Sequence, residues 1–340
     1  MNLHELPMII FTVLGQMSVG TFIVLGVIQL VAGLRHSSAT VDRLTEPVVY
    51  AIGPALVLGM AASMLHMNDV FNVFNVFRHA GSSWLSREII FGVAFAGLGT
   101  VFALMQWFKV GSFRLRQVVA AVTALTGIAL VWAMSQIYQT LTAVPAWNTP
   151  IVPLHFFGTT LILGAIATGC ALVATAVIRR GREGRAGGTP PRTDGGSGSG
   201  SGSGRVSTMV RSRVREINEP TTATEWQLIT RTVQLLAVVT AVVGMLVLIS
   251  YPVHIADLAT DPTGARSAQV FSGAFFVTRL LLLGLASIVL ALFGYRTASV
   301  AVLERPKGLL TLILAAFVIA LIAEFMGRAL HYSSFLAVGI

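Results

Sequence analysis

Long apolar stretches alternate with short polar connections along the whole chain, and each stretch is long enough to cross a lipid bilayer. A hydrocarbon core of ~30 Å takes about 20 helical residues to cross, whereas a spanning β-strand takes only ~9–11 residues of alternating pattern. The pattern therefore predicts eight transmembrane helices. They are expected near residues 8–34, 46–66, 87–108, 116–139, 151–178, 226–250, 271–296 and 308–331.

Composition supports this interpretation and excludes a soluble protein. Hydrophobic residues make up 55% of the 340 residues, charged residues make up only 11%, and the mean hydropathy is +0.79. Soluble domains of this size carry about twice that share of charge. The sequence thus predicts an all-α, multi-pass integral membrane protein.

The distribution of Lys and Arg predicts the orientation of the helices. Seventeen of the 23 basic residues fall in the first, third, fifth and seventh connections. The other connections and the chain ends hold only four, namely Arg78, Arg87, Arg266 and Arg328. Because basic connections stay in the cytoplasm, both termini are expected on the outer side.

A basic segment at 179–225 divides the helices into two four-helix halves. Residues 1–178 are assigned to the first half and 226–340 to the second, although helix 151–178 is expected to pack with the second. The segment between them contains GGSGSGSGSG at 195–204, which is expected to be a flexible coil. Its arginines are typical of a cytoplasmic loop near anionic lipid, so we expect no binding of nucleic acid.

Cysteine and histidine content limits the redox groups that the chain can hold. The single cysteine, Cys170, cannot supply the four thiolates of an iron–sulfur cluster. Of seven histidines only His36 is expected at the inner face, whereas a di-haem cytochrome b needs axial histidines at two depths. The sequence therefore predicts no metal site and no haem, although a single haem between His66 and His155 stays open.

The stretch 63–92 concentrates proton-exchanging side chains between two helices. It reads SMLHMNDVFNVFNVFRHAGSSWLSREIIFG and carries His66, Asp69, Arg78, His79, Arg87 and Glu88. Ionisable residues in a bilayer are costly, so a histidine at one helix end and a carboxylate at the start of the next favour a functional site. A second set, Glu324 and Arg328, is spaced for a same-face ion pair that could also line a proton path.

Several segments resemble one family, the membrane anchor subunits of dimethyl-sulfoxide-reductase-type molybdoenzymes. The resemblance is carried by HELPMIIFTVLGQMSVGTFIVLG, SMLH, FNVF, SWLSREI and AEFMGRALHY. It departs from the family at MNDVF, residues 67–71, where a segment containing Gly and Pro is expected.

The resemblance implies a subunit of the bacterial cytoplasmic (inner) membrane that binds and oxidises menaquinol near the outer face. It further implies no haem, a docked iron–sulfur subunit and a molybdopterin-bearing catalytic subunit on the outer side. The residues expected to bind the quinol are His66, Glu88, Arg78 and Ser86, of which His66 and Glu88 would accept its protons. Such a chain would not be catalytic by itself.

Two other classes of function stay open from the residues alone. A secondary transporter could use the outer charged groups to bind its substrate, although no Gly or Pro interruption recurs in both halves. A structural anchor could tether partners without binding a quinol.

Overall fold

The computed structural model of the chain describes residues 6–65, 76–186, 203–260 and 264–335, and helices account for the regular structure in these ranges. The helices are α1 (Leu6–Gly33), α2 (Ser38–Leu65), α3 (Trp84–Phe108), α4 (Phe113–Gln139), α5 (Ile151–Ala186), α6 (Ser203–Ile217), α7 (Ala223–Thr260), α8 (Ala274–Val300) and α9 (Lys307–Ser333). Within the described ranges, eight of them, all except α6, are long and apolar enough to cross a membrane. The predicted all-helical membrane fold is thereby confirmed.

Successive spanning helices run in opposite directions, which gives the bundle two distinct ends. We call the end where α1 begins and α9 ends the histidine end, because it carries His155, His254 and His331. The opposite end, where α3 ends and α7 begins, is called the basic end. These names describe the bundle and not its orientation in a membrane.

Helix α1 lies at the centre of the bundle, in contact with α2, α4, α5 and α9. The backbones of α1 and α5 come very close together, and two glycines permit this close contact. A Cβ atom on Gly20 would lie 1.8 Å from the carbonyl oxygen of Thr160, and one on Gly164 would lie 2.3 Å from the carbonyl carbon of Gly20. Small residues permit such backbone contact between transmembrane helices.

Helix α5 contacts helices from both parts of the chain. It packs against α1, α2 and α4 on one side and against α7 and α9 on another. The predicted packing of 151–178 with the second half is therefore only part of the observed arrangement, in which α5 joins the two sets of helices.

Helix α2 begins at Ser38, eight residues before the expected start, because its charged first turns are paired inside the bundle. The Asp42 carboxylate accepts hydrogen bonds from Arg116 Nη2 at 2.6 Å and Gln106 Nε2 at 2.9 Å. Glu46 accepts one from Lys109 Nζ at 2.6 Å. Charges satisfied in this way allow a helix to continue through polar sequence.

Helix α6 occupies part of the segment predicted to be a linker. Arg213 of α6 forms ion pairs with Glu46 of α2 and with Glu216 of its own helix. Arg43 of α2 binds Glu219 and Glu225, which follow α6. These contacts join the segment to the basic end, and residues Ser203–Ile217 form a helix. Residues 195–202 of the Gly-Ser stretch lie outside the described residues.

Candidate functional site

The site predicted between α2 and α3 is described only on its α3 side. His66 lies outside the described residues, so its placement relative to Glu88 stays a prediction. Arg78 lies in a helical turn before α3 and is exposed. Ser86 and Glu88 lie in the first turns of α3, where Ser86 is buried and Glu88 is half-buried.

Local sequence explains why α3 begins just before Glu88. The side chain of Ser83 accepts a hydrogen bond from the backbone N–H of Ser86 at 3.3 Å and so caps the helix. Arg87 donates to the carbonyl oxygens of Ala80 and Gly81 at 2.9 and 2.6 Å. Its guanidinium thus holds the preceding loop.

Ser86 and Glu88 do not lie on the same face of α3. Residues two positions apart in an α-helix are separated by about 200° around the helix axis. Arg78 is exposed on the loop. Of the four residues predicted to bind the quinol, Glu88 is the one that lies within electrostatic range of a buried hydroxyl group in the described structure.

That group is a line of hydroxyls contributed by three helices. Glu88 acts electrostatically on the phenols of Tyr138 in α4 and Tyr332 in α9. The two phenol oxygens are 3.2 Å apart, and Tyr332 Oη is 3.1 Å from Thr12 Oγ1 of α1. The carboxylate therefore lies within electrostatic range of groups that both donate and accept hydrogen bonds.

Glu324 and Arg328 do not form the predicted ion pair with each other. Glu324 Oε2 accepts a hydrogen bond from Thr159 at 2.6 Å, and its nearest cation in the described structure is Arg279, with Nη2 at 4.0 Å from Oε1. Arg328 instead donates to Gln16 Oε1 at 3.0 Å. Its guanidinium lies over the Phe156 ring at 3.7 Å. The long Arg328 side chain extends toward α1 and α5, where an amide and an aromatic face are available, and this separates it from Glu324.

The three histidines of the histidine end pack on aromatic rings. His155 stacks on Tyr251 with centroids 4.6 Å apart, and its Nε2 is 2.7 Å from Ser250 Oγ. His331 stacks on Trp147 at 5.2 Å. Across the described residues, no three His, Cys, Asp or Glu side chains are grouped so that they could hold a metal ion.

Three important residues were missed by the sequence reasoning. Tyr138 and Tyr332 look like ordinary aromatic residues near helix ends, and Arg279 was not assigned to any site. The sequence contains one usable signal for Arg279. It lies within the apolar stretch of α8, where an arginine needs a buried partner, and Glu324 is the nearest carboxylate to it in the described structure.

The fold and these polar groups define a class of protein, namely a multi-pass integral membrane protein that keeps ionisable side chains inside both ends of its bundle. The family model described as "DMSO reductase anchor subunit (DmsC)" matches residues 1–181, which is more than half of the chain. The chain belongs to this family.

Curated relatives agree with the family assignment. The chain is 33% identical over 175 residues to the C subunit of the anaerobic dimethyl sulfoxide reductase of Escherichia coli K12, covering 52% of this chain and 60% of that protein. It is 32% identical over 172 residues to the protein of the same name from Haemophilus influenzae, covering 51% and 60%. With the YnfH subunit of an E. coli anaerobic dimethyl sulfoxide reductase the identity is 31% over 179 residues, covering 53% and 59%. The chain thus spans about three fifths of the length of these relatives.

Proposed function

We propose that this chain is the membrane anchor subunit of a respiratory molybdoenzyme complex of the dimethyl sulfoxide reductase type. It binds and oxidises menaquinol at the histidine end and passes the electrons to a docked iron–sulfur subunit. Membership of the DmsC family supports the role as an anchor. The observation that carries the quinol site is Glu88, a half-buried carboxylate within electrostatic range of the Tyr138–Tyr332 hydroxyl pair.

Quinol oxidation explains why these side chains would be needed. A quinol that loses two electrons becomes a quinone and releases one proton from each of its two hydroxyls. Each hydroxyl therefore needs an acceptor, and a carboxylate or an imidazole can take the proton and release it. Glu88 supplies the carboxylate, and His66 is proposed as the imidazole. The phenols of Tyr138 and Tyr332 are proposed to lie beside an oxygen of the quinol ring.

The histidine end is proposed to face the outside of the bacterial cytoplasmic membrane. The distribution of basic residues supports this, because Lys109, Arg116 and Arg213 all lie at the opposite end. The iron–sulfur subunit and the molybdopterin-bearing subunit would then dock at the histidine end, and protons from the quinol would leave on that side. The contributions of Arg78 and Ser86 to binding stay predictions.

The substitution Glu88→Gln tests the proposal. It keeps the shape of the side chain but removes a proton acceptor, so quinol-driven reduction by the intact complex should fall by about 10²-fold. Reduction driven by an artificial dye that donates directly to the other subunits should be unchanged, because the dye bypasses this chain. Both rates are measured on the same membranes. The matched control is Glu304→Gln, which removes an exposed carboxylate at the basic end and should leave both rates unchanged.

Other outcomes would point to the alternative functions. If Glu88→Gln loses its attached subunits while the remaining complexes keep full turnover with quinol, Glu88 belongs to a docking surface. If it keeps wild-type quinol turnover, the quinol site lies elsewhere, and His155 and Glu324 are the next candidates. A chain that exchanges a solute across vesicles without any attached subunit would indicate a transporter.

A further inference from the structure

A second polar site lies at the histidine end, in a cavity between α5, α7, α8 and α9. Its charged and ionisable lining consists of His155, His254, Arg279, Glu324, Arg328 and His331. Its free volume is about 30 Å³. That is room for about two water molecules, since each needs ~10–15 Å³ of such volume. None of its lining residues in the described structure belongs to α3, so this cavity and the proposed quinol site at Glu88 are different sites.

The side chains that line the cavity include buried hydrogen-bond donors that nothing in the described structure satisfies. Arg279 is 2% exposed and Arg328 is 5% exposed. The donors Arg279 Nε, Arg279 Nη1 and Arg328 Nε are buried and have no hydrogen-bond partner among the described residues. The same holds for His331 Nε2, which donates or accepts according to the tautomer of the ring. The acceptor left without a partner in this cavity is Glu324 Oε1. Leaving buried polar groups unpaired is costly. Because the unpartnered donors outnumber the unpartnered acceptor, they indicate a ligand that accepts hydrogen bonds.

The charges of the lining also favour a negative ligand. Arginine stays protonated in proteins, so Arg279 and Arg328 contribute two positive charges. An ionised Glu324 cancels one of them, and a neutral Glu324 cancels none. Asp257 lies near His254, but it is exposed and does not line the cavity, so it is not counted among the charges of the lining. An uncompensated charge inside a transmembrane bundle is costly.

We propose that this cavity binds one small monovalent anion of the size of chloride, held by the guanidinium groups of Arg279 and Arg328. A halide accepts several hydrogen bonds from any direction and matches the unpartnered donors. It also fits a volume of two waters, and its single charge matches the excess left by an ionised Glu324, which a dianion such as sulfate would exceed. The bound anion neutralises the excess charge and keeps α8 and α9 together. This site is independent of quinol oxidation.

The close packing of Arg279 explains why the site has a fixed geometry. Its guanidinium lies 4.7 Å over the Tyr251 ring, and a Cβ on Gly327 would come within 2.8 Å of its Nε. An alanine at position 327 would therefore push the guanidinium out of place. The anion site thus depends on a glycine of α9 that leaves room for this guanidinium.

The experiment measures thermal unfolding of the purified full-length protein in detergent at fixed pH and ionic strength. Sodium gluconate is replaced stepwise by sodium chloride, bromide or sulfate, and unfolding is followed by reaction of Cys170 with a thiol-reactive dye. Chloride and bromide should raise the unfolding midpoint with a saturating dependence, whereas sulfate should not. A midpoint that is the same in all four salts would show that the cavity holds water only and would overturn the proposal.

Two variants with opposite expected effects sharpen the test. Arg279→Gln should raise the chloride concentration for half-saturation by about tenfold or more, because a hydrogen bond to a charged group is worth about a decade in affinity. Glu324→Gln should lower that concentration by about threefold or more, because it removes a repelling negative charge. If Arg279→Gln does not fold, Glu324→Gln decides the question by itself.

The matched control is Arg231→Gln. Arg231 is an exposed arginine of α7, and it lies 23 residues before His254, a separation of about 35 Å along the helix. This variant changes the net charge as Arg279→Gln does and should keep the wild-type chloride response. An equal loss of response in both variants would mean that chloride acts by screening surface charge, which would also overturn the proposal.

Discussion

The close contact between α1 and α5 gives the sharpest prediction about stability, and Gly164→Ala is the perturbation that tests it. A Cβ on Gly164 would lie 2.3 Å from the carbonyl carbon of Gly20 and 2.6 Å from the backbone nitrogen of Thr21. Ordinary carbon–carbon contacts are ~3.5–4.0 Å. The two helices would therefore have to separate by more than ~1 Å, because the atoms in the way belong to the backbone and cannot rotate aside.

The cost can be estimated from the contacts that such a separation weakens. A gap of 0.5–1 Å forfeits a quarter to a half of each dispersion contact of ~0.1–0.2 kcal/mol, so about 40 atom pairs would lose about 2 kcal/mol. Replacing Gly by Ala in a helix returns up to about 1 kcal/mol. Gly164→Ala should thus destabilise the protein by about 1–2 kcal/mol, within the usual cost of overpacking a core.

Gly97→Ala is the control for this experiment. Gly97 lies on α3, and no atom lies within 4 Å of the position that a Cβ would take there, so the same substitution should stabilise the protein by up to about 1 kcal/mol. The assay is equilibrium unfolding in mixed micelles with increasing SDS, followed by circular dichroism. The two variants should differ by about 2 kcal/mol, because the gain in helix propensity is common to both and cancels. If they unfold at the same SDS fraction, the backbone contact at Gly164 is not as close as the structure has it.

Three further predictions concern the two ends of the bundle. Thr142→Cys at the histidine end should react with a membrane-impermeant thiol reagent added outside intact cells. Lys307→Cys at the basic end should not react, and the reverse result would invert the proposed topology. Glu46→Gln leaves Arg213 without its buried carboxylate, so the free energy of unfolding should fall by about 3–5 kcal/mol and trypsin should cleave α6 faster. Unchanged cleavage would refute this. Removing residues 196–202 should leave quinol turnover unchanged, since loop entropy depends only weakly on length; a large drop would mean that this segment binds a partner.

The sequence by itself determined the membrane class and the number of spanning helices. Both depend on local properties, because an apolar run of about 20 residues is stable in a bilayer as a helix wherever it packs. The motifs around SMLH and SWLSREI also sufficed to indicate the family, which the match over residues 1–181 then showed. Helix ends were less predictable. The start of α2 was placed too late, because Asp42 reads as a polar loop residue until its partner Arg116 is known.

Only the tertiary structure decided which polar side chains meet. Tyr138 and Tyr332 are 194 residues apart and yet share a hydrogen bond, and Glu324 approaches Arg279 of another helix rather than Arg328 four residues away. The spacing of Glu324 and Arg328 on one helix was a correct local observation with the wrong partner. The physical reason is that helices in a bilayer present similar apolar surfaces, so their arrangement depends on close backbone contacts such as Gly20 with Gly164. Those contacts are properties of pairs of helices, and a single sequence does not specify which helices pair.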